Sequence, residues 1–238
     1  MKKNIFCIIL LSLAFVNANA QNKTKQKSKK DPVAKAVFKS ANDSASYAIG
    51  LSVAKFYQQQ GVKKLNTILL TKAINDAFAN KTLLLDDSQA NNVIMNYLNT
   101  LSQAKALPTI AVGEKFLATN KKKPGVKTTA SGLQYEIITQ GNGPLPALTD
   151  TVLCHYKGSL LNGTEFENSY TRGEPITFSV GGVIKGWTEA LLLMPVGSKW
   201  KLYIPYQLGY GTSDYGSIPG GSVLVFDIEL LGIVNKTK

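Results

Sequence analysis

Side chains that break bonds are scarce in this chain. Its 238 residues include a single histidine, His155, and two cysteines, Cys7 and Cys154. The neighbour of His155, Tyr156, belongs to the apolar face of an alternating strand pattern, so His155 points the other way and a general-base role is not expected. No Cys/His/Asp cluster has the spacing of metal ligands, which leaves no metal and no cofactor to expect. Glu165 and Glu167 alternate across a strand rather than converge, so they do not form an acid/base pair. Long apolar runs are missing too. The one candidate, residues 5–16, is shorter than the ~20 residues a membrane-spanning helix needs. Acidic residues are few, 15 against 27 Lys and Arg, for a net charge of +12.

What is present begins with a leader. Met1-Lys2-Lys3, the short apolar run and Ala18-Asn19-Ala20 have the order of a secretory signal peptide over residues 1–20. A periplasmic or secreted mature chain without a transmembrane span is therefore expected. With Cys7 removed, Cys154 can form no intramolecular disulfide, and its apolar strand suggests a buried, inert thiol. The basic excess is uneven. Residues 1–127 carry 20 lysines and 6 acidic residues, whereas residues 128–238 carry 7 Lys and Arg and 9 acidic residues. Seven lysines fall in residues 23–39 among polar neighbours. From this composition residues 21–40 are expected to form a disordered tail. It has no aromatic before Phe38, so nucleic acid is not an expected partner.

Residues 41–107 read as helical. Asp43 or Ser44 is placed to cap a first helix that stops at Gly61. Leu69, Leu70, Ala73, Ile74, Ala77 and Phe78 form a 3.6-residue stripe. Asp86 and Gln89 have capping-box spacing ahead of Ala90, Val93, Ile94, Tyr97, Leu98 and Leu101. Three such helices bury little alone, so this region is expected to be a dimerisation domain. Pro108 is expected to break the pattern, with a further short helix over residues 114–120 and a linker across residues 108–127.

In residues 128–238 the period changes to two. Leu133, Tyr135 and Ile137 alternate with Gln134 and Glu136. Val152, Cys154, Tyr156 and Leu160 share a face, as do Trp200, Leu202 and Ile204. Leu224, Phe226, Ile228 and Leu230 share another. One short helix lies between Ile184 and Met194. The fold class is α+β: an antiparallel half-barrel sheet wrapped on one short helix, preceded by the all-α domain. Asn162-Gly163-Thr164 reads as a turn between strands rather than a glycosylation site.

Six motifs occur in order over about a hundred residues. They are Cys154-His155-Tyr156-Lys157-Gly158, Leu161-Asn162-Gly163-Thr164-Glu165-Phe166-Glu167, Gly182-Val183-Ile184-Lys185-Gly186-Trp187, Leu208-Gly209-Tyr210-Gly211, Ile218-Pro219 and Leu224-Val225-Phe226-Asp227. Through them residues 132–232 resemble the FKBP-type peptidyl-prolyl isomerases. Ser46-Tyr47-Ala48-Ile49-Gly50 and Phe116-Leu117-Ala118-Thr119-Asn120-Lys121 are similar to the helices of the dimeric bacterial branch that includes the macrophage infectivity potentiators. The resemblance implies a cup with Trp187 as floor and Tyr156, Phe166, Val183, Ile184 and Phe226 as walls, with Phe178 and Ile176 at the edge. It further implies that the Tyr210 hydroxyl and the Ile184 N–H donate to substrate carbonyls. The implied partners are proline-containing unfolded or nascent exported polypeptides, a second copy of the chain, and macrolide inhibitors. Two departures stand out. Glu167, with Arg172 as its implied partner, replaces the usual aspartate, and Ile176 stands where an aromatic is common. They leave open a non-catalytic chaperone or binding module built on the same cup.

Overall fold

The computed structural model describes residues 38–235. The expected signal peptide over residues 1–20 and most of the expected basic tail lie outside those residues. The chain divides into two compact units, residues 1–50 and 51–238.

In the first unit the described part is the opening of helix α1 (Ala41–Gln59). Ser40 Oγ accepts from Asp43 N at 3.1 Å, and Asp43 Oδ2 accepts from Ser40 N at 3.0 Å. Ser40 is therefore the cap and Asp43 its partner three residues on, a correction to the expected Asp43 or Ser44 cap. The reason is reciprocity, since one pair of side chains satisfies two amides that the first turn cannot.

The second unit takes up the rest of α1 and continues with helix α2 (Thr67–Phe78), capped by Asn66, whose Oδ1 accepts from the amides of Ile68 and Leu69. Helix α3 (Asp87–Asn120) starts on the expected capping box, with Asp86 Oδ1 and Gln89 Oε1 each accepting the other's amide at 2.8 and 3.0 Å. It then runs 34 residues through Pro108 without ending. The expected break at Pro108, and the separate helix over 114–120, are not found. A proline inside a helix costs one hydrogen bond and crowds a carbonyl, about 3 kcal/mol. Here tertiary packing offsets that cost. Ala106 and Gly113 are buried on either side of the proline. Phe116 packs its ring 5.6 Å from Tyr203, and Asn120 Nδ2 donates to Gln134 Oε1 at 3.0 Å inside the protein.

Seven strands follow: β1 (Val126–Thr128), β2 (Gln134–Thr139), β3 (Thr151–Leu160), β4 (Glu165–Asn168), β5 (Ile176–Ser179), β6 (Lys199–Ile204) and β7 (Leu224–Asn235). They form one antiparallel sheet in the order β1-β2-β6-β7-β3-β4, with β5 paired to the other half of β3. A single-turn helix α4 (Ser169–Arg172) follows β4, and helix α5 (Lys185–Leu193) follows β5.

The period-two pattern is what curls this sheet over its core. Leu224, Phe226, Ile228 and Leu230 of β7 are buried, as are Val152, Cys154 and Tyr156 of β3 and Trp200, Leu202 and Ile204 of β6. Helix α5 fills the concave side with Trp187, Ala190 and Leu191. The intervening positions carry charge. Lys199 faces Glu229 and Lys201 faces Asp227 across the β6–β7 ladder, at 3.8 and 3.5 Å. Half-exposed pairs like these set register more than stability. Among the described residues no helix is long and apolar enough to cross a membrane.

Cys154 lies at the centre of β3 with no exposed surface, and burial pushes its thiol up to about 12. At pH 8 the thiolate is then roughly one part in ten thousand. A disulfide-exchange reagent should leave Cys154 unlabelled in the folded protein and titrate it fully in denaturant. Rapid labelling of the native state would contradict this packing.

Candidate functional site

Between α5, β3, β7 and the loop before β7 the sheet leaves a cavity of about 480 Å³. This is within the range of sites that take a small ligand or a short piece of chain, about 300–1,000 Å³. Its lining is aromatic because the half-barrel's inward positions and one face of α5 converge there.

Trp187 forms the floor and is 3% exposed. The turn that begins α5 holds it, with Trp187 N donating to Ile184 O at 2.9 Å. Three rings meet the indole nearly edge-on: Tyr156 at 5.1 Å and 87°, Phe226 at 5.2 Å and 85°, and Phe178 at 5.3 Å and 72°. Such contacts are the favoured geometry for aromatic quadrupoles and stiffen the cup. Phe166 closes one wall against Phe226 at 5.5 Å. Gly158 makes that closure possible, since a Cβ there would lie 2.6 Å from Phe166 and 2.7 Å from Phe226. The indole Nε1 has no hydrogen-bond partner among the described residues, so the floor presents no bound polar group.

The rim is polar at a few points. Glu167 lines the cavity and pairs with Arg172, whose second nitrogen donates to Tyr156 Oη at 3.2 Å. Helix α4 carries Arg172 to this place after Asn168 caps it, with Asn168 Oδ1 accepting from Tyr170 N at 2.9 Å. The longer glutamate therefore still reaches the guanidinium and holds the Tyr156 ring through it. Burial, then Tyr215 and Tyr156, push the Tyr210 hydroxyl upward, so at neutral pH it keeps its proton as a donor. Ile184 N–H has no acceptor among the described residues.

All eight residues expected at a site line this cavity: Tyr156, Phe166, Glu167, Val183, Ile184, Trp187, Tyr210 and Phe226. Phe178 lines it as well. Ile176 does not, and instead packs against the core from β5, so its replacement of an aromatic does not shape the cup. His155 lies outside, stacked on Tyr170 at 4.5 Å with Nδ1 2.9 Å from Ser169 Oγ. Glu165 faces Lys157 at 3.6 Å, away from Glu167's partner. Sequence reasoning missed Tyr215, Gly216 and Ser217 and did not count Ile218 as a lining residue, yet all four form one wall. The available signal was the glycine-rich stretch from Gly209 to Gly221, because long loops kept in compact domains are commonly functional.

An apolar cup with a few donors, and no nucleophile–base pair among its lining residues, has the form of a binding site for a small ligand or a short piece of chain. Comparisons with known proteins identify the family. Residues 143–231 match the family described as FKBP-type peptidyl-prolyl cis-trans isomerase, and residues 42–137 match the domain amino-terminal to it. The chain is 42% identical over 230 residues to the FKBP-type peptidyl-prolyl cis-trans isomerase FkpA of Aeromonas hydrophila, covering 91% of this chain and 85% of that protein. It is 45% identical over 194 residues to the FKBP-type 22 kDa peptidyl-prolyl cis-trans isomerase of Escherichia coli, covering 80% and 94%. The crystal structure of FkpA from Escherichia coli superposes with a TM-score of 0.55 at 37% identity, covering 82% of this chain and 98% of that one. The chain belongs to the FKBP-type peptidyl-prolyl cis-trans isomerases, in the branch with an amino-terminal helical domain.

Proposed function

We propose that the cup takes an X-Pro bond of an exported, incompletely folded polypeptide out of water and lowers the barrier to its rotation. The observation that carries this reading is the group of aromatic rings closed on Trp187. Rotation costs about 18–20 kcal/mol because amide resonance is given up. The twisted amide is less dipolar than the planar one, so an apolar cavity favours the transition state over the ground state. Tyr210 Oη and Ile184 N–H are placed to donate to carbonyls on either side of the bond and fix the chain in the cup. The Glu167–Arg172 pair holds Tyr156 upright as a wall. No proton transfer or covalent intermediate is involved.

Export is supported by the leader pattern, and assembly as a homodimer by the apolar stripes of α2 and α3. The deciding experiment is protease-free isomerisation of a short X-Pro peptide by the full mature chain. Acceleration over the uncatalysed tens-to-hundreds of seconds that family-type macrolides inhibit supports the reading. A folded protein that binds the peptide yet leaves its rate unchanged would make the cup a holding site.

A further inference from the structure

We propose that helix α3 positions one wall of the cavity. Lys105 and Gly113 fix the loop of residues 211–221 from behind and so determine where Tyr215 and Ile218 stand. The inference rests on the isomerase reading for its consequence, but the anchoring itself can be tested separately.

The loop is a closed body. Gly221 N donates to Gly211 O at 2.8 Å across its neck, and Tyr215 and Ile218 exchange both backbone hydrogen bonds at 2.9 Å near its tip. Asp214 Oδ1 accepts from Gly220 N at 2.9 Å and ties the two halves together. A loop bonded in this way shifts as a unit. Its front face lines the cavity, with Tyr215 stacked on Tyr210 at 4.2 Å and 5°.

Its back face belongs to α3. The second oxygen of Asp214 accepts from Lys105, 109 residues earlier in the chain. That bond, followed by the one from Gly220 N, holds the Asp214 carboxyl below the usual carboxylate range. Two close approaches lie alongside. A Cβ on Gly221 would sit 2.6 Å from Ile110 Cγ1 and 3.0 Å from Ala106 O, and Gly221 has a φ of 81°. A Cβ on Gly113 would sit 2.7 Å from Val223 Cγ2. Helix and loop thus meet nearly backbone to backbone, at a contact where Ala106 and Val223 are buried. Neither Lys105 nor Gly113 lines the cavity, so both are positioning residues. Packed interiors transmit such displacements instead of absorbing them.

The test uses the full chain. Gly113→Leu drives a side chain between α3 and Val223. It should lower kcat/KM on a short X-Pro peptide about tenfold, mainly through KM. Adding Val223→Ala to Gly113→Leu should recover most of the loss. Lys105→Met should lower kcat/KM about threefold, and Lys105→Arg should not. Hydrogen exchange at Gly221 N–H should speed up in Gly113→Leu and Lys105→Met while the β6–β7 ladder keeps its protection. Unchanged kinetics and unchanged Gly221 exchange in a folded Gly113→Leu would overturn the proposal, as would a loss that Val223→Ala leaves untouched. If Gly113→Leu does not fold, Lys105→Met decides by the same two measurements. A wild-type chain without activity would refute the isomerase reading, and the exchange comparison alone would then carry or overturn the anchoring.

Discussion

Trp187→Ala should lower kcat/KM on a short X-Pro peptide by on the order of 100-fold and abolish tight macrolide binding. The factor corresponds to roughly 2.7 kcal/mol of lost transition-state stabilisation, at about 1.36 kcal/mol for each tenfold. Its source is the floor. The indole meets Tyr156, Phe178 and Phe226 edge-on, and no polar group among the described residues holds its Nε1. Removing it opens space that water can enter from the cavity, and water favours the planar, more dipolar ground state. Trp187→Phe keeps an apolar ring and should lose less, about tenfold.

Stability falls as well, because truncating a buried tryptophan to alanine costs about 3–5 kcal/mol. That is a large share of the 5–15 kcal/mol typical of a folded domain. The kinetics therefore belong at low temperature, with native tertiary signals recorded on the same sample. A folded Trp187→Ala protein whose peptide activity stays within threefold of wild type, or which keeps its macrolide affinity, would refute the role given to this side chain.

Much of the half-barrel was legible because its strands are wet on one side only. In β7 the sequence alternates Leu224, Phe226, Ile228 and Leu230 with Val225, Asp227, Glu229 and Leu231, and a one-residue slip would place the charged residues in the core. The start of α3 was legible for a similarly local reason, since the capping box needs only Asp86 and Gln89. The cup residues are scattered from Tyr156 to Phe226, and no periodicity gathers them. Their positions followed from the ordered motifs of a family.

The features that escaped detection depend on partners far away in sequence. Pro108 looks like a stop because its local cost is real, but Gly113, Phe116 and Asn120 dock on residues some 14 to 110 positions later and carry the helix through. The wall formed by residues 215–218 escaped for the same reason. Its place is set by Lys105 and the neck at Gly211 and Gly221, none of which advertises a contact in the local pattern. The cap at Ser40 was missed by a few residues, the usual scale of error for a helix boundary.

Ile74→Asp or Ile94→Asp should convert the protein from two chains per particle to one, leaving the cavity's peptide activity nearly unchanged. Helix α2 presents Leu69, Leu70, Ile74 and Phe78 to solvent, Phe78 at 88% exposure, and α3 presents Val93, Ile94 and Tyr97. Among the described residues nothing covers these side chains, and an apolar patch of this extent normally marks an interface. A second copy is the occupant that needs no further partner, and a twofold arrangement lets each stripe cover its mate and close the assembly. Charge is absent from the stripe. Asp76, on the same helix, is turned inward and already paired with Lys72 and Lys81 within its own chain. An aspartate at position 74 or 94 would have no such partner and would be desolvated on association, an expensive burial. Light scattering of the mature protein at micromolar concentration reads the result. Wild type at the mass of one chain would refute the dimer, and a variant that stays at two chains would remove these stripes from the interface. On a long unfolded client the monomeric variant should also lose more than on a short peptide, because two linked cups raise the effective concentration at the second site.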